Sequence, residues 1–500
     1  MSHVSIACVL ANKREKAVSV SLPTWDANVA YEEGKEWLAK IMQCGYPRFF
    51  VHPIIQSLAR EVLHRYGDIE IEAATLFPSP KTAKICQSFI LSRIPSEESS
   101  KVRILNLVPS PRTEAESPAI TSRLSCVIYP QQFAPIAKQV WQHTGNGVSS
   151  RRGEFCLKAL EDNFLVEENK PTAADVTAQR PCKGPRRYQG KGSISGLPRS
   201  TTGSSPTVDG TQDGREYAQF IEERFGRNLS TSLADKAKLA VRKRIAGVLT
   251  ADVELTEALE KVSAEGRVTG LTEDDVYLFP TGMSSIFNTH QIAMAALGTE
   301  KKSICFGFPY IDSLKVLEKW GPGCLFYGHG SSKDLDDLES RLAGGEKFLA
   351  LFTEVPGNPL LKTPDLKRIR SLADKYGFLV VVDETVGNFI NINVLPYTDV
   401  VVSSLTKIFS GDSNVMGGSA VINPQGQFYR EVKDAFEKNY EDDYWTEDAV
   451  FLERNSRDFV ARIEKINGTT ENITAMLKES PLGKLLTEPL YIVYTNLFYS

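Results

Sequence analysis

The chain has 500 residues, 42% hydrophobic and 24% charged, enough for about three domains with sizeable cores. A formal net charge of −4 offers no basic field to hold a polyanion, which excludes nucleic acid as the main partner. Eight scattered cysteines without a CxxC pair, and six histidines far apart, argue against a zinc site and for reduced, mostly buried thiols rather than a disulfide frame.

The opening stretch "MSHVSIACVLANKREK" has one short apolar run followed by charges, too short for a secretory core or a membrane span. A cytoplasmic protein without a membrane partner is expected. Residues 1–165 form an N-terminal α/β extension in this reading, and His143 in "WQHTGNG", with no partner motif, is expected at the surface or in a turn. Residues 166–216 are rich in Gly, Pro, Ser, Thr and charge. Such a segment cannot bury enough surface to offset its ordering entropy and reads as a flexible linker.

From residue 276 the pattern becomes regular. The runs "VYLFPTG", "KSICFGF", "CLFYGH", "FLALFTEV", "FLVVVDET" and "DVVVSSLTK" are short and rich in β-branched and aromatic residues. Between them lie helical stretches such as "PDLKRIRSLADKYG", with Pro364 near its start, Leu366, Ile369 and Leu372 at helical spacing, and Gly377 at its stop. Strands alternating with helices predict an α/β domain over 217–452, its mainly parallel sheet covered on both faces. The extension carries an echo of this domain. There "YPRFFVHPIIQSLAREVLHRYG" and "ATLFPSPKTA" parallel "ERFGRNLSTSLADKAKLAVRKRI" and "VYLFPTGMSS", so that Leu76-Phe77-Pro78 matches Leu278-Phe279-Pro280. Read as a repeat, the first copy has degenerated: Pro80 and Lys81 stand where the second has Gly282 and Met283.

Asp383 ends a pure apolar strand, where open α/β sheets keep ligand contacts, although a turn cap would use the same residue. Lys407 follows the next strand between hydroxyl residues, in "SSLTKIFSG"; alone it reads equally as a solvated loop charge. An amine, the hydroxyls of Ser404 and Thr406, and a carboxylate on the neighbouring strand end are together what a pyridoxal 5'-phosphate site requires. Thr281, Gly282 and Met283 supply further phosphate donors, where a strand gives way to a helix start. Tyr310, past another strand end, is placed to stack on a ring or simply to pack, and Asn358 to donate to a ring oxygen or to form a turn. Five strand ends with five compatible groups favour the cofactor reading, with no metal.

The motifs "TGM", "FPYID", "VPGNP", "VVDET" and "SSLTKIFSG" resemble the cystathionine γ-synthase family of Cys/Met metabolism enzymes. The stretches "SVSLPTWDANVAYEEG", "MQCGYPRFFVH" and "WQHTGNGVSSRRGEFC" are similar to the N-terminal extension of its fungal branch. The resemblance implies the fold type I, aspartate aminotransferase-like large domain of PLP-dependent transferases, with the N-terminal α/β extension and an incomplete C-terminal small domain over 453–500. It implies that Lys407 binds the cofactor and shuttles protons, that Asp383 holds the ring nitrogen and that Tyr310 stacks on the ring. Gly282, Met283, Ser404 and Thr406 would hold the phosphate, and Arg224 would reach the phosphate of a neighbouring subunit in a homodimer or homotetramer. Glu222 stands where the family's Tyr-x-Arg pair has its tyrosine. The implied reaction is γ-replacement on O-acyl-L-homoserine by L-cysteine, forming L-cystathionine in methionine biosynthesis. The alternatives are sulfide or a carbon nucleophile, or a truncated cofactor-binding subunit of little activity. The last arises because the family's carboxylate-binding arginine has no counterpart in this reading, in which Arg454, Arg457 and Arg462 form the solvated face of a helix.

Overall fold

The computed structural model describes residues 16–19, 22, 24–42, 44–47, 49–110, 122–168, 231–250, 252–260, 266–298 and 300–480. Glu222, Arg224 and nearly all of the expected linker lie outside the described residues. Two sheets organise the rest: a four-stranded sheet of order β1-β3-β2-β4 and a seven-stranded sheet of order β5-β11-β10-β9-β8-β6-β7.

The N-terminal region opens with helices α1 (Trp25–Glu32), α2 (Glu36–Ile41) and α3 (Pro53–Tyr66), followed by β1 (Glu72–Phe77) and α4 (Pro80–Leu91). Next come β2 (Arg103–Pro109), β3 (Leu124–Pro130), α5 (Ala134–Thr144), α6 (Ser150–Glu161) and β4 (Leu165–Glu167). Every pairing in this sheet is antiparallel. β3 reads "LSCVIYP" because it is central and covered on both faces. Leu124, Cys126 and Ile128 face Leu58 and Val62 of α3 and Leu160 of α6, while Val127 and Tyr129 face Phe89 of α4 and Val140 of α5. The order helix, strand, turn, helix of α3–β1–α4 is only approached further along the chain, where α8 (Leu255–Glu260) separates α7 (Thr231–Ala246) from β5 (Val276–Phe279) and α9 (Gly282–Leu297), and the antiparallel sheet differs from the second. β4 also takes residues 166 and 167, assigned to the linker above, because their backbone completes the edge of β2.

The second sheet comprises β5 (Val276–Phe279), β6 (Ser303–Phe306), β7 (Cys324–Tyr327), β8 (Ala350–Glu354), β9 (Leu379–Asp383), β10 (Val400–Ser404) and β11 (Gly418–Ile422). The six strands read from the sequence run parallel, and β11, which was not anticipated, opposes them between β5 and β10. Alternate residues of β9 enter two cores. Leu379 and Val381 pack with Phe287 of α9 (Gly282–Leu297) and Leu314 of α10 (Ile311–Lys319). Val380 and Val382 pack with Ile245 of α7 (Thr231–Ala246), Leu338 of α11 (Ser332–Ala343) and Ile369 of α12 (Leu366–Tyr376). α12 starts where Asp365 accepts from the Arg368 N–H and stops at Gly377, whose φ of 73° suits glycine. α13 (Tyr429–Asn439), α14 (Thr446–Asn455) and α15 (Phe459–Glu479) close the described chain. The boundary drawn at 452 therefore falls inside a helix.

The N-terminal region docks directly on the sheet domain. Arg151 donates to Asp448 at 3.0 Å and to the Asn414 carbonyl at 2.8 Å, with both charged side chains buried. Trp320 stacks on Phe89 at 4.3 Å, and its indole N–H donates to His143 Nδ1 at 3.3 Å. His143 is accordingly buried, not superficial, because the docked surface covers it. Cys44 is disulfide-bonded, against the expectation of reduced thiols throughout, whereas Cys86, Cys126, Cys156, Cys305 and Cys324 are free. Spacing along a chain does not tell which cysteines meet. Among the described residues no helix is long and apolar enough to cross a membrane, and no His/Cys/Asp/Glu group could hold a metal ion.

Gly418, at the start of β11, leaves no room for a side chain: a Cβ there would lie 2.1 Å from the Thr281 carbonyl oxygen. The backbone cannot yield cheaply, so Gly418→Ala should cost about 1–3 kcal/mol. A urea midpoint that falls at unchanged m-value is expected, and an unchanged midpoint would refute the close approach.

Candidate active site

The parallel strands deliver their carboxyl ends to one edge, and a cavity of about 890 Å³ opens there. Gly282, Met283, Tyr310 and Asn358 line it, as do Asp383, Ser404, Thr406 and Lys407. Thr281 does not. Its side chain caps α9, accepting from the Ser284 N–H at 3.0 Å and donating to the Gly145 carbonyl at 3.1 Å.

At one end of the cavity the first turn of α9 meets the end of β10. A Cβ on Gly282 would sit 2.6 Å from Ser404 Cβ and 2.9 Å from its Cα, so only glycine lets the helix start this close. Ser404 Oγ is buried with no hydrogen-bond partner among the described residues. An orphaned hydroxyl beside a helix N-terminus fits a phosphate. Thr406 contributes less directly, since its hydroxyl accepts from Gly417 N–H at 3.1 Å and donates to the Gly417 carbonyl at 3.3 Å.

At the other end two carboxyls face each other across the ladder, for Glu354 of β8 is the register partner of Asp383 of β9. Asp383 Oδ1 accepts from the Thr385 N–H at 2.9 Å and its hydroxyl at 2.6 Å, and Thr385 Oγ1 accepts in turn from Ser404 N–H at 2.8 Å. Burial pushes the Asp383 carboxyl up, and no cation among the described residues counters it. Burial, then the nearby Asp383 charge, pushes Glu354 up to about 8, against the N–H groups of Tyr310 and Asn358 that bond it. A deep carboxylate lacking a cationic partner fits a protonated pyridine nitrogen. Glu354 escaped the sequence reading because "TEVPGNP" drew attention to Asn358; its end-of-strand position, like that of Asp383, was the available signal.

Lys407 rides a turn that is held from behind. Arg462 of α15 donates to the carbonyls of Ile408 at 2.6 Å and Phe409 at 3.2 Å, and Gly411, with φ 73°, leaves room for its guanidinium. The arginines read as a solvated face are therefore engaged. Arg462 lines the cavity, Arg457 pairs with Glu453 and Glu254, and Arg454 lies over Phe451, because α14 and α15 pack on the sheet domain. The N-terminal region supplies the remaining wall through Val18, Ser19, Tyr31, Tyr46 and Phe49. None of these was anticipated, although Tyr46-Pro47-Arg48 repeats the Tyr-x-Arg spacing sought at 222–224.

An amine, a buried carboxylate and a glycine-opened helix start around one cavity define a pyridoxal phosphate-dependent enzyme. Comparison with known proteins agrees. Residues 259–489 match the profile of the Cys/Met metabolism PLP-dependent enzymes, and residues 54–149 that of the fungal trans-sulfuration enzyme N-terminal domain. The chain is 48% identical to a cystathionine gamma-synthase of Neurospora crassa, over 95% of this chain and 80% of that one. It is 40% identical to the cystathionine gamma-synthase-like enzyme iboG2 of Amanita muscaria (92% and 73% covered) and 36% identical to a cystathionine gamma-synthase of Saccharomyces cerevisiae (96% and 81%). The chain belongs to the Cys/Met metabolism PLP-dependent enzyme family, as a transsulfuration enzyme of the cystathionine γ-synthase type.

The raised Glu354 carboxyl makes stability depend on pH. Between its ordinary value of 4.5 and about 8 the folded state holds a proton that the unfolded chain has lost, so this contribution declines as pH rises through that window. Cofactor-free protein should lose melting temperature between pH 5 and 8 more steeply than its Glu354→Gln variant. Parallel profiles would show that Glu354 titrates normally.

Proposed function

We propose that the chain catalyses γ-replacement on O-acyl-L-homoserine by L-cysteine, yielding L-cystathionine. The observation that carries this reading is the single cavity joining Lys407, Asp383 and the Gly282–Ser404 contact, in a chain 48% identical to a cystathionine gamma-synthase. When bound, pyridoxal phosphate supplies the electron sink that makes protons beside the substrate amine acidic. Lys407 Nζ anchors the cofactor and, once released, takes the proton from the substrate α-carbon. Asp383 would accept a hydrogen bond from the protonated ring nitrogen, and Tyr310 would cover the ring. Asn358 would donate to the ring oxygen, while Ser404, Thr406 and the first N–H groups of α9, at Gly282 and Met283, would hold the phosphate; Thr281 serves by capping that helix. Arg224 would add a charge to a neighbour's phosphate, in a cytoplasmic homodimer or homotetramer acting on small amino acids.

The test is product analysis with O-acyl-homoserine and, in turn, cysteine, sulfide and a carbon nucleophile. Cystathionine should dominate, and Asp383→Asn should lower kcat by about 100-fold or more while leaving the protein folded. Turnover with sulfide but not cysteine would overturn the choice of nucleophile, and full activity in Asp383→Asn would overturn the role of the carboxylate.

A further inference from the structure

Tyr46 comes from the N-terminal region, outside the sheet domain, yet its ring centroid lies 4.2 Å from Lys407 Nζ. We propose that Tyr46 is the positioning residue for the Lys407 amine, holding it as an ammonium against the ring face, so that the N-terminal region completes the site within the same chain. The inference rests on Lys407 as the cofactor's anchor.

Four observations make the placement a built one. The Val18 N–H donates to the Ser413 carbonyl at 2.8 Å, tying the N-terminal segment to the loop that follows Lys407. Lys16 beside it pairs with Glu154 at 3.0 Å. Arg151 reaches the next residue of the same loop, Asn414, from the other side. Tyr46 in turn packs on Phe49, with ring centroids 5.9 Å apart.

The chemistry needs such a group. A lysine that has taken a proton from the substrate becomes an ammonium at a mouth walled in part by Val18, Ile286 and Ile408, where its exposed side chain would swing out into solvent unless a group held it. The face of an aromatic ring attracts a cation without competing for its proton. Held there, the ammonium stays within the cavity to return that proton later in the cycle. Among the described residues the other charged or titratable groups around the cavity are Asp383, Glu354 and Arg462 and the phenols of Tyr31 and Tyr310. Tyr31 shares the N-terminal wall with Tyr46 and the others belong to the sheet domain and α15; the variants below leave all of them in place.

The experiment uses the full chain loaded with pyridoxal phosphate, as Tyr46→Phe, which keeps the ring, and Tyr46→Leu, which keeps apolar bulk without it. The midpoint of the pH profile of kcat, which reads Lys407 as the released amine, is measured between pH 5 and 10 together with KM, and the visible cofactor band confirms loading. Tyr46→Phe should keep the wild-type midpoint, whereas Tyr46→Leu should lower it by about half a pH unit and lower kcat more than KM rises. An unshifted Tyr46→Leu would overturn the proposal, and so would a Tyr46→Phe that behaves like Tyr46→Leu, since the hydroxyl rather than the ring face would then matter. Mixed assemblies of Lys407→Ala and Tyr46→Leu chains decide between one chain and two: no recovered activity is expected, and recovery would place Tyr46 in a neighbour's site. If Lys407 is not the anchor, Lys407→Ala retains the visible band, an outcome separable from any failure at Tyr46.

Discussion

Two glycines close on Thr281 and a third, Gly282 beside it, closes on Ser404, and the rest of the site depends on those contacts. Thr281 ends the turn between β5 and α9; a side chain on Gly145 or Gly418 would collide with it, and one on Gly282 would collide with Ser404. Gly418 brings β11 against the Thr281 carbonyl, Gly282 brings the helix start against Ser404, and Gly145 brings the N-terminal region against the Thr281 hydroxyl. The helix dipole, the β10 end that leads to Lys407, and the N-terminal wall are thereby set at fixed distances from one another. Glycine is unfavourable in regular structure, so its use at Gly282 and Gly418 marks places where close approach outweighs propensity.

The same contacts explain why the N-terminal region sits where it does. Its docking includes the buried pair of Arg151 and Asp448, and removing one partner of such a pair typically costs about 3–5 kcal/mol because the other charge is left unpaired. Buried pairs of this kind fix an arrangement more than they add stability. Here the arrangement brings an aromatic wall to a lysine that the sheet domain positions from the opposite side through Arg462.

The parallel strands and the residues at their ends were legible because a strand buried on both faces must be a continuous apolar run, and the first polar residue after it marks the functional edge. Asp383, Ser404 and Lys407 were found in that way. Less legible was whatever depends on contacts between distant segments. β11 is a five-residue run with glycine and serine, too short and mixed to announce itself, and it is a strand because β5 and β10 flank it. His143 and Arg457 looked like surface residues until the surfaces that bury them were known. Tyr46 was invisible for the same reason: no local pattern tells that a ring near the start of the chain will meet an amine some 360 residues later, whatever the helix and strand periodicities say.

The central claim is that Lys407, within this cavity, carries the cofactor. Borohydride reduction of the protein loaded with pyridoxal phosphate fixes the cofactor to its lysine permanently, and digestion followed by mass spectrometry locates it. The peptide containing Ser404, Thr406 and Lys407 should carry the pyridoxyl group on Lys407, at close to one per chain. The group on another lysine, or spread thinly over several, would contradict the account.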